Sequence, residues 1–311
     1  MLGGMDPREA YAGPTQLSAA LGEAGYVADE GLVTVAWLAL RLARPLLLEG
    51  EPGTGKTALA ETLAAGLDVP LVRLQCYEGI DAAQALYDWD FPRQILHLRA
   101  LEAVAAQRNP HESIGESVGV ELAEVEDQLF TERFLLARPV LRALREAPVV
   151  LLVDEIDRAD DEFEAFLLEV LSTWAVTIPE LGTVAAAVPP VVVLTSNRTR
   201  ELHDALKRRC LYHWIEHPSF ARELAIVRSR TPEISEQLAE QLVTVVQQVR
   251  VEPGLVKPPG LAETLDWGRA LHALGARHID LATAAATLGA AIKHRDDAER
   301  VRAALDRILT R

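Results

Sequence analysis

The chain has 311 residues, 46 of them acidic and 31 basic, for a formal net charge of -15. Hydrophobic residues make up 49% and charged residues 25%, enough apolar material for an ordinary core, which excludes a disordered chain. The length suggests two domains, and the acidic balance argues against a general nucleic-acid binder, which needs a positive footprint. No run approaches the ~18 apolar residues of a membrane helix. The opening MLGGMDPREAYAG has no apolar signal core, so a cytoplasmic protein without membrane insertion is expected. Cys76 and Cys210 lack CxxC spacing, which excludes a cysteine-based zinc site on ligand count and leaves a disulfide unexpected in a reducing compartment.

Taken in order, short apolar runs alternate with amphipathic stretches. Helical patterning covers 31–43, and a strand-like run follows at 45–50. A second helix pattern covers 57–67 and a second strand 70–76. Residues 77–98 hold Tyr77, Tyr87, Trp89 and Phe91, a large share of a small aromatic stock; they read either as a packed excursion of the core or as a binding loop. Residues 111–128 are acidic and read as a solvated loop and helix. Helix patterns at 138–147 and 161–172 flank a strand at 148–154, and further strands lie at 190–196 and 211–216. Unalternated Val- and Leu-rich runs suit strands buried on both faces of a parallel sheet, so the N-terminal part, 1–217, reads as a doubly wound α/β domain. From 218 to 311 only helical patterns occur, interrupted by Pro253, Pro258 and Pro259, which reads as a small all-helical domain.

Gly50-Glu51-Pro52-Gly53-Thr54-Gly55-Lys56-Thr57 fits GxxxxGK[ST] without a mismatch, between a strand and a helix. The glycines let consecutive N–H groups face one anion, and the helix adds its positive N-terminal end. The loop from Glu51 through Ala58 is therefore the expected nucleotide cradle. Lys56, one of only four lysines in the chain, supplies a mobile charge for the β- and γ-phosphates of ATP, and the Thr57 hydroxyl ligates Mg²⁺.

Three further features acquire meaning beside that loop. The strand Val149–Val153 ends in Asp154-Glu155, a Walker B pattern: Asp154 for the metal shell, Glu155 to polarise the attacking water. Thr195-Ser196-Asn197 ends another strand, where Asn197 can orient that water between the γ-phosphate and the acids; the alternative is a turn residue. Lys207-Arg208-Arg209 precedes the last strand with no evident acidic partner nearby in sequence. It reads as an arginine finger, Arg209 ahead of Arg208, reaching a neighbouring subunit's nucleotide, or else as an exposed basic turn.

This set, followed by a helical lid, resembles the AAA+ ATPase module, a P-loop NTPase core with a parallel sheet and helices on both faces, across nearly the whole chain. More narrowly it resembles the MoxR family, through residues 138–144, 148–160 and 204–218, and within it the CoxD-type branch of carbon monoxide dehydrogenase maturation, through 87–99, 168–184, 194–202 and 258–267. The resemblance implies a homo-hexameric ring with ATP between subunits and a chaperone-like role in maturing a metalloenzyme client, here a molybdenum-containing enzyme. It also implies a partner carrying a von Willebrand factor A domain. It further implies a helix-2 insert at about 81–99 and a hairpin before the sensor strand at about 174–187, and it leaves Arg158 with two readings of equal weight, a role near the subunit interface or a helix-capping ion pair. Relatives carry an Arg after a Pro at the start of a lid helix; this chain has Lys257-Pro258-Pro259-Gly260, so Lys257 or the nearby Arg269 substitutes, or the contact is missing. A GTPase would need an NKxD segment, which is absent, and a small-molecule kinase would need a basic substrate lid. A nucleic-acid motor or loader shares the whole core and is opposed mainly by the net charge of -15. A non-hydrolysing nucleotide-binding scaffold is opposed by Glu155 and Asn197.

Overall fold

Five parallel strands order the molecule. In a computed structural model, which describes residues 6–105 and 129–310, β1 (Leu46–Gly50), β2 (Leu71–Gln75), β5 (Val150–Asp154), β8 (Val191–Ser196) and β9 (Leu211–Ile215) form one sheet in the order β2-β5-β8-β1-β9. Their side chains alternate between two apolar clusters. Leu46, Leu48, Val150, Leu152 and Val193 face one, and Leu47, Leu151, Val153, Val192 and Leu194 face the other. That division is why β1, β5 and β8 show no alternation of polarity in the sequence, both faces being covered by helices; the edge strands β2 and β9 correct the expectation, since Arg73, Gln75 and Tyr212 are exposed. The first cluster is closed by α1 (Pro14–Glu23), α2 (Glu30–Leu42) and α3 (Lys56–Leu67); the second by α6 (Pro139–Arg145) and α7 (Asp161–Thr173).

The strand order places β1 and β5, separated in the sheet by β8, so that their C-terminal ends and the turn after β8 converge on one edge. Ligands of open α/β sheets bind at that edge. Two smaller pairs decorate the sheet. In the span 81–99 the chain forms α4 (Ala82–Leu86), β3 (Tyr87–Trp89) and the beginning of α5 (Phe91–Ala105), and β3 pairs with β4 (Leu135–Ala137). Within 174–187, β6 (Ala175–Ile178) and β7 (Gly182–Ala185) form an antiparallel hairpin. The acidic stretch 111–128, read above as solvated loop and helix, lies outside the described residues. Helix α1 and the short α8 (Asp204–Arg209) have no counterpart in the sequence reading: α1 buries only Leu17 and Leu21, and α8 is six residues long, too little for a clear period.

The C-terminal helices are α9 (Phe220–Arg230), α10 (Glu236–Arg250), α11 (Leu261–Ala273), α12 (Leu281–Ala291) and α13 (Arg295–Leu309). Their apolar cluster runs from Val227 to Ile308 and includes no residue of the sheet domain. Trp267 is fully buried at its centre and donates its indole N–H to Thr287 Oγ1 at 2.7 Å. Close by, Glu223 is fully buried. It accepts two hydrogen bonds from Arg250, both at 2.6 Å, and one from Thr264 Oγ1 at 2.8 Å. No described helix is long and apolar enough to cross a membrane.

Trp267→Ala is expected to destabilise the helical domain by about 3–5 kcal/mol, the usual consequence of emptying a buried aromatic site. Because the two domains have separate cores, denaturant unfolding should split into two transitions in this variant, with only the earlier one shifted. A single uniformly shifted transition would contradict separate cores.

Candidate nucleotide-binding site

The phosphate loop takes the shape its glycines permit. Gly53 and Gly55 adopt φ of 77° and 94°, the left-handed region where a side chain is strained. Gly260 is needed for a different reason: at an ordinary φ, a Cβ there would lie 2.7 Å from the Pro52 carbonyl oxygen. That close approach lets Leu261 N–H, at the start of α11, donate to the Gly53 carbonyl at 3.1 Å, so the lid rests directly on the loop. Thr54 Oγ1 closes the loop on the Glu51 carbonyl at 2.8 Å.

Lys56 is 7% exposed, and its Nζ donates to the carbonyls of Gly50 and Glu51 at 2.8 Å each. Burial pushes its pKa down from 10.5 to about 8, against the opposing pull of Asp157, Glu51, Asp154 and Glu155. Thr57 Oγ1, one residue on, donates to Asp154 Oδ1 at 3.1 Å across 97 residues of sequence. Asp154 is 4% exposed and also accepts from Thr195 Oγ1 at 2.5 Å and from Arg73 at 2.5 Å. Thr195 is the second use of its strand end, because its hydroxyl also receives the Glu155 backbone N–H at 2.9 Å.

Glu155 sits in the left-handed region at φ 56°, an uncommon conformation for a non-glycine residue, and the turn aims its carboxylate away from the strand. Three side chains hold it: Asn197 Nδ2 on Oε1 at 3.1 Å, Gln75 Nε2 on Oε2 at 3.1 Å, and Arg158 Nε on Oε2 at 2.8 Å. Asn197 is in turn fixed by the buried Asp157, which accepts the Asn197 backbone N–H at 3.2 Å and that of Thr199 at 2.8 Å.

Around these groups lies a cleft of about 660 Å³. Its phosphate end is the loop 52–58 with Asp154, Glu155, Thr195 and Asn197. Its other end is apolar, built from Tyr26 and Val27 ahead of α2, Ile226 on α9 and Leu265 on α11, a slot suited to a flat base. Arg222 clasps that end by donating to the Val27 carbonyl at 2.9 Å and to Asp29 at 3.0 Å. Arg269 lines the cleft from the lid, whereas Lys257 is exposed and does not; the Lys257 backbone N–H is held by Asp297 at 3.0 Å. Of the two lid cations left open by the sequence, only Arg269 is placed toward the cleft.

Some expected residues lie elsewhere. Arg208 and Arg209 are exposed and do not line this cleft, and their side chains make no hydrogen bond or ion pair among the described residues. Their carbonyls are anchored by Arg44, at 2.8 and 3.1 Å. The expectation that all three consecutive cations lack a carboxylate is corrected for Lys207, which pairs with Glu201 at 3.3 Å, because the turn before α8 folds that side chain back. Arg158 forms an ion pair within its own chain, with Glu155. Trp89 is partly packed, edge-to-face with Phe130 at 5.2 Å and Tyr87 at 6.0 Å, while Phe91 stands 55% exposed. Both cysteines are buried free thiols pushed up to about 12 by burial, which removes them from chemistry at neutral pH.

Arg73, Gln75 and the base-end residues are not among the residues the sequence singles out, and Thr195 is named there only as part of the strand end before Asn197, with no role of its own. The available signal was the pattern Leu71-Val-Arg-Leu-Gln75: polar residues at alternate positions of a strand otherwise expected to be apolar throughout. On the edge strand β2 those positions are exposed and face the acids of β5.

The sequence matches a known family. Residues 45–210, more than half of the chain, match the AAA domain of the dynein-related subfamily. The uncharacterized protein YojN of Bacillus subtilis is 27% identical over 241 residues, covering 75% of this chain and 67% of YojN. The uncharacterized protein SH1500 of Staphylococcus haemolyticus is 24% identical over 228 residues, covering 71% and 74%. Among solved structures, the Thermotoga maritima RuvB Holliday junction branch migration motor is similar with a TM-score of 0.44 and 18% identity, over 84% of this chain and 68% of that one.

The Lys56 shift gives two pH effects of opposite sign. Between about 8 and 10.5 the unfolded chain holds a proton that the folded, unliganded chain has lost, so this group makes the free protein more stable as pH rises through that window. A bound phosphate needs the charged form, so nucleotide affinity should fall above about pH 8, by up to tenfold per pH unit. Calorimetric titration across pH 7–10 on wild type and Lys56→Arg checks this; the Arg variant should show no such fall. With the loop, the paired acids of β5, the sensor asparagine and the lid gathered on one cleft, and the family match covering residues 45–210, the chain belongs to the AAA family, dynein-related subfamily.

Proposed function

We propose that the chain hydrolyses ATP with Mg²⁺ and uses the cycle to remodel a protein client, as a MoxR-type AAA+ chaperone. The observation that carries this reading is the convergence of Lys56, Thr57, Asp154, Glu155 and Asn197 on one cleft. Thr57 and Asp154 present oxygen donors side by side, 3.1 Å apart, as a hard divalent cation requires. Among the described residues no cluster of three or more His, Cys, Asp or Glu could cage a metal alone, which suits Mg²⁺ shared with substrate phosphates. When bound, that ion neutralises charge on the β- and γ-phosphate oxygens.

The protein's own groups divide the remaining work. Lys56 exchanges its two carbonyl partners for phosphate oxygens. Asn197, held by Asp157, keeps Glu155 Oε1 directed toward the attacking water. Glu155 takes that water's proton as its oxygen bonds to the γ-phosphorus and the bond to the bridging oxygen of ADP breaks. Arg269 reaches the phosphates from the lid. Glu155→Gln should retain ATP binding and slow phosphate release by roughly 10²–10⁴-fold, the range for a lost general base. Turnover at the wild-type rate would remove Glu155 from this role.

Further parts of the reading follow from the resemblance and from what the site leaves unfinished. The exposed Arg208 and Arg209 carry charge without a local task, which supports a finger, Arg209 first, completing the site of the next subunit in a homo-hexameric ring. A von Willebrand factor A domain partner and a metalloenzyme client, of the molybdenum-containing carbon monoxide dehydrogenase type, are proposed on the same basis. Hydrolysis per subunit should then rise with protein concentration. Mixing Arg209→Ala with Glu155→Gln subunits should restore part of the activity, since some interfaces then pair an intact Glu155 with an intact Arg209. Concentration-independent hydrolysis with no rescue on mixing would make Arg209 a solvated surface charge.

A further inference from the structure

Asp154 offers its two oxygens to more donors than a metal-binding carboxylate needs. Oδ1 accepts from Thr195 at 2.5 Å and Thr57 at 3.1 Å. Oδ2 is taken by Arg73 Nη2 at 2.5 Å, with Thr57 Oγ1 more distant at 3.4 Å. The Arg73 side chain is half exposed and reaches in from the edge strand to a carboxylate that is 5% exposed, so its charged head lies at the mouth of the site. The same Nη2 donates to Gln75 Oε1 at 2.9 Å, and Gln75 Nε2 donates to Glu155 Oε2 at 3.1 Å. A continuous line of hydrogen bonds therefore runs Asp154–Arg73–Gln75–Glu155 along the end of β2.

We propose that Arg73 is a built-in competitor of the divalent cation: its guanidinium occupies Oδ2 of Asp154 in the metal-free site, and the cation must displace it. This inference rests on the reading of the cleft as a Mg²⁺–nucleotide site. Two positive groups held at hydrogen-bond range of one oxygen repel each other, and Oδ1 is already engaged by the Thr195 and Thr57 hydroxyls. Once displaced, Arg73 keeps only its bond to Gln75, so arrival of the cation is passed to the residue that holds Glu155. Arg73 is thus a positioning residue. It sets how much cation is needed before the Gln75 contact on Glu155, one of the three that hold it, is altered, and it balances the charge of Asp154 when the cleft is empty.

The test is metal binding and does not depend on turnover. ADP-saturated protein is titrated with Mn²⁺, free Mn²⁺ being followed by electron paramagnetic resonance, for wild type, Arg73→Gln, Arg73→Met and Arg73→Lys. Both neutral variants should bind Mn²⁺ about 5–10-fold more tightly than wild type, a coupling of the size usual between linked sites. Arg73→Lys, which keeps the charge, should stay near wild type, and ADP affinity in excess EDTA should be the same in all four. Unchanged or weaker Mn²⁺ binding in the neutral variants would overturn the proposal, as would a loss of ADP affinity in EDTA, which would place Arg73 on the nucleotide. Wild-type protein that binds no Mn²⁺ in the presence of ADP would instead overturn the reading of the cleft, and the competitor role with it. Using two neutral variants of different shape, at a half-exposed position, separates the effect of charge from that of packing.

Discussion

The site is organised around one buried carboxylate. Asp154 stands at the end of β5, almost sealed from solvent, and a carboxylate so placed is tolerable only when its oxygens are hydrogen-bonded and its charge is balanced. Thr57 brings the phosphate loop to it, Thr195 brings the neighbouring strand, and Arg73 supplies the charge. Because Thr195 also receives the Glu155 backbone N–H, the same hydroxyl that satisfies Asp154 holds Glu155 in its left-handed turn. The register of β5 against β2 and β8 is therefore also a specification of the site: Gln75 lies opposite Asp154, and a slip of one residue would turn Asp154 into the apolar layer.

What could be read from the sequence follows from how far apart the cooperating residues lie along it. The phosphate loop and the Asp154-Glu155 pair carry their chemistry in contiguous residues, and the three central strands announce themselves by unbroken apolar runs. The bonds Gln75–Glu155 and Arg73–Asp154 span 80 and 81 residues, and no local pattern reports them. The base end of the cleft is more remote still, since Tyr26, Ile226 and Leu265 meet only when the lid closes over the sheet. The basic run at 207–209 shows the opposite error: reading partners from near neighbours alone missed Glu201, which the turn before α8 returns to Lys207. Trp89 is a mixed case, since its residue type was visible while its edge-to-face contact with Phe130 depends on the pairing of β3 with β4.

The helical domain contributes to the site through a polar network, not through apolar contact alone. Glu223 and Arg250 form a fully satisfied buried pair, and Arg250 Nε also holds the Pro259 carbonyl at 2.7 Å. Pro259 directly precedes the glycine that lies against Pro52. The charges in the lid core thus fix the first turn of α11, and that turn fixes the loop. Replacing such a pair by apolar residues often costs little stability. Here the pair also determines where Gly260 sits.

The lid meets the sheet domain at two places on opposite ends of the cleft: Arg222 on Asp29 and the Val27 carbonyl, and Leu261 on the Gly53 carbonyl. The second contact involves a peptide group of the very loop that wraps the phosphates. A rotation of the lid cannot leave that loop untouched, and a change in the loop cannot leave the lid where it was. The Gly53 carbonyl therefore carries two duties at once: it belongs to the curve of the phosphate loop and it seats the first turn of α11, so the lid and the place where phosphates bind share one peptide group.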